Sequence, residues 1–248
     1  MSQVKSQLVV YDFDWSMVDQ DTDRYILEVL SPKLRRKLED GEGKTEWTDL
    51  LARVMHDLHE EGATRQQIEH ALVTLPYHPA MIRAVKALKA ADSPKTTFLC
   101  LSASNHVYIR TILAHNGLSD LFADVVTNKA EWNGNRLDIR RHIGPDDPPH
   151  NCTVGCTPNL CKGSELTSFL ARCGESYDRI MYVGDGSNDF CPSIRLSEND
   201  VVLCRRDRAL ERRIKAAPER VKATVKYWEG AWEIEEYFNS LIKKQVNN

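Results

Sequence analysis

The sequence predicts an α/β fold, a doubly wound parallel sheet carrying an inserted helical domain. Three observations point to it. Leu8-Val-Val-Tyr11 is an apolar run of the kind buried on both faces of a parallel sheet, and it stops abruptly at Asp12 and Asp14. Arg179-Ile-Met-Tyr-Val183 repeats the pattern and runs into Gly184-Asp185-Gly186-Ser187-Asn188-Asp189, where the glycines allow a tight turn. Between these strands, the segment from Asp19 to Ala91 is nearly devoid of strand-like runs.

The bulk numbers agree with an ordinary globular protein. A chain of 248 residues suits one α/β domain with an insertion, or two modest domains. With 42% apolar and 28% charged residues it is an ordinary globular composition, and a formal net charge of -3 makes no electrostatic case for nucleic acid. No apolar run reaches bilayer-spanning length, and the opening Met-Ser-Gln-Val-Lys has no signal-peptide core. A cytoplasmic protein with no membrane partner is therefore expected. Seven cysteines, an odd count in such a chain, argue against a disulfide framework. Cys100 and Cys204 lie in apolar runs and are expected to pack as small hydrophobes.

Taken in order, the helical segment opens with Ile26, Leu27, Val29 and Leu30 as an apolar stripe, closed by Ser31-Pro32. Trp47, Leu50, Leu51, Val54 and Leu58 recur at helical spacing, and Ile68, Ala71 and Leu72 begin another stripe. The block is read as a helical cap, residues 19–91, set into a core made of residues 1–18 and 92–248. A plain crossover helix is the alternative, but the segment is far longer than a crossover needs. Its last helix, Pro79 to Ala91, has Met81, Ile82, Val85 and Leu88 on one face and returns the chain to the core.

Thr96 to Leu101 is the second core strand, ending at Ser102-Ala103-Ser104-Asn105. A helix from about Val107 carries Ile109, Ile112 and Leu113 and stops near Asn116-Gly117. Leu121 to Val126 starts another strand, and residues 128–151 read as loop, with Asn133-Gly134-Asn135 a hairpin signal inside it. Lys162 to Cys173 is helical, Asp200 to Cys204 is the last strand, and a basic helix over Arg205–Ala217 precedes a C-terminal helix over Ile234–Ile242.

Carboxylates as close as Asp12 and Asp14 repel each other unless a cation lies between them, and Mg²⁺, which takes hard oxygen ligands, is the natural candidate. A turn with Asx hydrogen bonds would also explain Asp-x-Asp after a strand. A second strand ending in an acidic pair, Asp185 and Asp189, argues against coincidence, because open parallel sheets bind ligands beyond the carboxyl ends of their strands.

Asp12-Phe-Asp-Trp-Ser16 and Gly184-Asp-Gly-Ser-Asn-Asp189 resemble the first and fourth signatures of the haloacid dehalogenase (HAD) superfamily of phosphatases. The spread Asp12-x-Asp14, Asp19, Asp23, the segment Asn159-Leu-Cys-Lys162 and the segment Tyr182–Pro192 are similar to the phosphoethanolamine/phosphocholine phosphatase family, with its pyridoxal-phosphate and thiamine-phosphate phosphatase-like relatives. The resemblance implies a HAD-like Rossmannoid core, a cap that opens and closes, and an Mg²⁺-dependent phosphatase. Its partner is a small-molecule phosphomonoester, hydrolysed through an aspartyl-phosphate intermediate. A monomer or homodimer is expected.

Residue by residue, the resemblance makes Asp12 the nucleophile and Asp14 the acid–base that protonates the leaving oxygen and then activates water. An anionic ester repels attack, and a carboxylate nucleophile divides the task into two steps. Mg²⁺ would be held by Asp12, the main-chain carbonyl of Asp14, and Asp185, with Asp189 holding metal waters or Lys162 in support. Lys162 would neutralise the nucleophile and bind phosphate; a lysine opening a helix is electrostatically unfavourable, which itself points to a negative partner. Ser16, at a Ser/Thr position of the motif, would help bind the substrate phosphate, and Ser102 would donate to a phosphate oxygen, with a helix N-cap as its alternative role.

Ala103 stands where phosphocholine-type members carry an acid that meets a cationic head group, while Asp23 keeps the other acidic position. Phosphocholine and phosphoethanolamine are therefore expected to be unexceptional beside a vitamin phosphate (thiamine or pyridoxal) or pyrophosphate. Trp15 would narrow the entrance or stack on a ring. Cys152, Cys156 and Cys161, with His150, are compatible with a partial zinc site, although the spacing fits no common zinc signature, and a packing or metal-clip role is expected. A non-catalytic phosphate- or zinc-binding protein is the distant alternative.

Overall fold

A computed structural model describes residues 4–246 of the chain. Strands β1 (Ser6–Tyr11), β2 (Lys95–Asn105), β3 (Asp124–Asn133), β4 (Arg136–Arg140), β5 (Arg179–Gly184), β6 (Val201–Arg205) and β7 (Thr224–Trp228) form one sheet in the order β4-β3-β2-β1-β5-β6-β7. Every pairing is parallel except that of β3 with β4. The chain winds outward from β1 through β2 to β3, then returns to the other side of β1 and continues through β5, β6 and β7. That reversal leaves a crevice at the carboxyl ends of β1 and β5, where such sheets bind ligands.

The period-two alternation of β1 divides the core into two layers. Val9 and Tyr11 face one side with Phe98, Cys100, Met181 and Val183, under helices α5 (Pro79–Ala90), α6 (His106–His115) and α10 (Ala231–Val246). Leu8 and Val10 face the other with Leu99, Leu101, Tyr182, Val202 and Cys204, under α7 (Lys162–Cys173) and α9 (Ala209–Ala216). Burying each such Leu or Val contributes about 1.5–3 kcal/mol.

Between β1 and β2 lie α1 (Thr22–Leu30), α2 (Pro32–Gly41), α3 (Trp47–Glu60) and α4 (Arg65–Val73), ahead of α5. Local signals set their ends. Asp21 caps α1 by accepting from the Arg24 amide, Ser31 ends α1 and caps α2, and Thr64 with Gln67 forms a reciprocal capping box on α4. The apolar faces of α1 to α4 join the Val9/Tyr11 layer through Phe13, Met17 and Val18. α5 runs along α10, and Arg83 forms an ion pair with Glu235 of that helix.

Four sequence expectations are corrected. Residues 128–140 are not loop: β3 continues to Asn133, and β4 folds back on it around Gly134, whose φ is +61°. The ribbon escaped notice because it is half-exposed and lacks an apolar run. The strand expected to begin at Leu121 begins at Asp124. Asp200–Cys204 is not the last strand, because β7 adds an edge on which Trp228 alone is fully buried. Val29 is 48% exposed, so the α1 stripe is narrower than expected.

Candidate active site

The site forms where β1 ends. The Asp12 amide donates to the Val183 carbonyl (2.9 Å), which carries the ladder one residue past the strand. The chain then folds over itself: the Phe13 carbonyl accepts from the amides of Ser16, Met17 and Val18, and Trp15 takes a left-handed backbone with φ +56°. A bulky residue there is strained, and such strain concentrates where surrounding structure holds a functional loop.

Asp12 is buried, and its Oδ1 accepts from the Phe13 amide (2.7 Å) and from Lys162 Nζ (2.8 Å). Lys162 opens α7 and is 1% exposed, and its ammonium also donates to Asp189 Oδ1 (2.7 Å). Burial alone would lower the lysine's proton affinity, but the charges of Asp12 and Asp189 outweigh it, and the group is held as an ammonium.

Asp189 is fully buried and surrounded by donors. Besides Lys162, its Oδ1 accepts from Tyr182 OH (2.6 Å), and its Oδ2 accepts from the amides of Asp185 (3.0 Å) and Gly186 (2.8 Å). Gly184 is needed for this approach, since a Cβ there would lie 2.6 Å from Asp189 Oδ2. With four donors on two oxygens, Asp189 fits a bracing role better than that of an open ligand. Asp185, at the end of β5, receives the Ser16 hydroxyl at 3.5 Å.

Carboxylate oxygens of Asp12, Asp185 and Asp189 lie within 4.8 Å of one another. Three carboxylates around one ammonium leave an excess of negative charge. Burial and then Asp189 push the Asp12 carboxyl well up, and the same two causes push Asp185 to about 6. A divalent cation with hard oxygen preference would relieve both, so the donor set fits Mg²⁺.

Asp14 points the other way, toward the start of α1. Its Oδ1 accepts from the Thr22 amide (3.0 Å) and its Oδ2 from the Thr22 hydroxyl (3.3 Å), which also meets Ser104 Oγ at 2.9 Å. Burial, then Asp21, Asp23 and Asp12, hold its carboxyl well above the ordinary range. Ser102 is buried, and its oxygen accepts from the Ser104 amide (3.1 Å). It is not the N-cap: Asn105 caps α6 by accepting from the Tyr108 amide. Ala103 offers its carbonyl to Asn128 Nδ2 (2.6 Å), and Asn128 in turn accepts from Asn159, which also donates to Thr48 on α3.

Asp23 is buried beneath Trp47, whose indole donates to Oδ2 at 2.7 Å, while Oδ1 has no partner among the described residues. Burial and Asp21 push this carboxyl to about 7. Trp15 meets two guanidinium groups: Arg208 lies 3.8 Å from the ring centroid, and Arg205 donates to the Trp15 carbonyl (2.6 Å) and to Asp19. Arg205, Arg208, Tyr182 and Asn128 escaped the sequence reading. Arg205 ends β6 and Arg208 follows it, so the strand-end rule that singled out Asp12 and Asp185 reaches them too.

Comparison with known proteins identifies the family. Residues 7–242 match the family described as Putative Phosphatase. The pyridoxal phosphate phosphatase PHOSPHO2 of Bos taurus is 32% identical over 245 residues, covering 96% of this chain and 99% of the relative. Inorganic pyrophosphatase 1 of Arabidopsis thaliana is 32% identical over 223 residues, 88% of this chain and 73% of the relative. Among solved structures, a HAD family hydrolase from Salmonella enterica serovar Typhi superposes with a TM-score of 0.63 at 15% identity, over 93% of this chain and 70% of that one, a likeness of fold.

Proposed function

The chain belongs to the Putative Phosphatase family of HAD-type phosphoric monoester hydrolases, and on that premise we propose that Asp12 is the nucleophile of an Mg²⁺-dependent phosphatase that hydrolyses small phosphomonoesters, a ring-bearing vitamin phosphate foremost. The observation that carries the catalytic part is the buried Lys162 ammonium, which spans Asp12 and Asp189 at 2.8 and 2.7 Å. Its charge opposes the burial and the Asp189 charge that push the Asp12 carboxyl up.

In the proposed reaction, Asp12 attacks phosphorus while the ester P–O bond breaks. Asp14, whose proton affinity its surroundings raise, gives a proton to the departing oxygen. Asp14 then takes a proton from water as that water attacks the phosphorus of the Asp12 phosphate, releasing inorganic phosphate and restoring both carboxyl groups. Ser102 and Lys162 would bind phosphoryl oxygens, and Ser16 would orient Asp185. Mg²⁺ would rest on Asp12, the Asp14 carbonyl and Asp185, supplying charge neutralisation and polarisation of the phosphoryl group. Within residues 19–91, helices α1 to α4 would act as the cap, bringing Thr22 and Asp23 to the site, while α5 packs on the sheet beside α10 with the core of 1–18 and 92–248.

Two observations support a ring-bearing ester over phosphocholine. Ala103 provides no carboxylate, and Asp23, with an acidity near neutrality, is not a fixed anion for a quaternary ammonium. The unpartnered Asp23 Oδ1 suits a hydrogen-bonding group on the substrate. The similarity to a pyridoxal phosphate phosphatase favours the same class, and pyrophosphate is the second reading, favoured by the Arabidopsis pyrophosphatase and the Arg205/Arg208 pair. We place the activity in the cytoplasm, supported by seven cysteines that are all free thiols; none of the described helices is long and apolar enough to cross a membrane.

The test is a substrate panel with Mg²⁺ comparing pyridoxal phosphate, thiamine phosphate, pyrophosphate, phosphocholine and phosphoethanolamine. The ring-bearing esters should lead in kcat/KM. Ala103→Asp should improve the two cationic substrates by roughly one to two decades, the value of one charge contact at a partly desolvated site. A hundredfold wild-type preference for phosphocholine would overturn the substrate reading.

A further inference from the structure

A second cluster lies behind the first. Residues 141–161, between β4 and α7, form no helix or strand, an unusual length of irregular chain inside a compact domain unless something fastens it. Three of its cysteines, Cys152, Cys156 and Cys161, the last the N-cap of α7, meet Cys191 in α8 (Phe190–Ser193). Three sulfur pairs stand at 3.6 Å: Cys152 with Cys156, Cys152 with Cys191, and Cys161 with Cys191. All four sulfurs lie within 4.8 Å of one another.

These spacings favour one chemistry. A disulfide requires about 2.05 Å. A tetrahedron of thiolates around zinc at about 2.3 Å has edges of about 3.75 Å, close to the observed pairs. Donors also converge on the sulfurs: the Val154 amide on Cys152 (3.4 Å), and the amide (3.4 Å) and hydroxyl (3.2 Å) of Ser164 on Cys161. Such donors orient and stabilise thiolate ligands. His150 is not the fourth member, because its Nε2 donates to the Thr157 carbonyl (2.6 Å) and its Nδ1 accepts from the Cys152 amide (3.4 Å). Cys191 takes that place, and Gly163 makes room for it, since a Cβ there would lie 2.6 Å from the Cys191 sulfur.

We propose that Cys152, Cys156, Cys161 and Cys191 hold a structural zinc ion in a closed tetrathiolate site, and that this ion positions Lys162 and Asp189. Binding deprotonates four thiols and releases their protons to solvent, with no redox step. Cys161 directly precedes Lys162, and Cys191 follows Asp189 by two residues. The zinc therefore ties together the two segments whose side chains meet beside Asp12. It is separate from the oxygen cluster, which suits Mg²⁺.

Protein expressed with zinc and purified under reducing conditions should contain one zinc per chain by mass spectrometry, retained through EDTA dialysis that strips Mg²⁺. A mercurial titrant should release that zinc, and Co²⁺ substitution should give the absorption of a tetrahedral tetrathiolate. Cys191→Ser and Cys152→Ser should lower zinc at least tenfold, whereas Asp185→Asn should keep the full equivalent. Zinc removal should lower turnover at saturating Mg²⁺ at least tenfold, with recovery on adding one equivalent. Folded wild-type protein that takes up no zinc at saturation, or that carries a Cys152–Cys156 disulfide after reducing purification, overturns the site. Full turnover without zinc overturns the positioning role.

Discussion

The carboxylate cluster and the cysteine cluster draw on the same two stretches of chain. Cys161 and Lys162 are neighbours at the start of α7, and Asp189 and Cys191 are two apart at the start of α8. At a helix start, side chains one residue apart diverge by about 100° and those two apart by about 200°. One residue of each pair therefore enters the oxygen cluster and the other the sulfur cluster. The chemistry then separates. The carboxylates enclose a buried ammonium and are hard ligands suited to a cation that keeps waters and admits a substrate. The thiols form a closed set of soft ligands with no reacting partner, as structural zinc sites do. On the proposed reading, one cluster reacts and the other holds it in place.

The strongest test of that division is Asp12→Asn. It should lower turnover on the order of 10⁴-fold or more, as removal of a covalent nucleophile does. Circular dichroism and zinc content should not change. Near-normal activity in the folded variant would remove Asp12 from the chemistry.

Lys162→Met cuts between the clusters. It leaves Asp12 and Asp189 facing each other without their cation, and breaking a buried ion pair in this way costs about 3–5 kcal/mol. Turnover should fall by roughly 10²–10³ and the thermal midpoint should drop, with part of the stability returning on adding Mg²⁺. A variant as stable as wild type would mean that Lys162 is not the charge that balances the site.

Gly163→Ala presses on the sulfur side alone. Its new Cβ would fall 2.6 Å from both the Cys191 sulfur and Arg195 Nε, an overpacking worth about 1–3 kcal/mol. Thermal denaturation should show that loss together with weaker zinc retention. Unchanged zinc affinity in a competition titration would separate Gly163 from the cluster.

The last effect is a pH dependence. Asp23 titrates at about 7 in the fold against 3.8 for the free group, so between those values the folded state binds more protons than the unfolded one. The stability tied to this group is complete below about 3.8 and is lost as pH rises through about 7. Asp23→Asn, whose amide oxygen can still accept from Trp47, removes the dependence. In thermal melts the variant should gain on wild type from pH 5 to pH 8, by up to a few kcal/mol. Parallel curves would show that Asp23 is not held neutral.

Sequence alone determined the elements whose signals are local. Leu8–Tyr11 and Arg179–Val183 were legible as buried strands ending in acid, and α7 runs from Lys162 to Cys173 as its pattern predicts. Ser31-Pro32 and Asn116-Gly117 marked helix ends through their own backbone preferences. The half-exposed β3–β4 ribbon and the edge strand β7 were illegible or misread because neither is buried on both faces and neither has an apolar run.

Only the tertiary structure decided which distant residues meet. Cys191 stood in plain view within the segment Tyr182–Pro192, yet nothing in its spacing from Cys161 joins them; the packing of α7 on α8 does. Asn105 rather than Ser102 caps α6, because β2 runs four residues beyond Leu101 before the helix begins. The convergence of Asp12, Lys162, Asp185 and Asp189 follows from β1 and β5 being neighbours, with Tyr11 opposite Val183. Periodicity encodes which face a residue takes, but strand order and register, set by burial of both sheet faces at once, determine what that face touches.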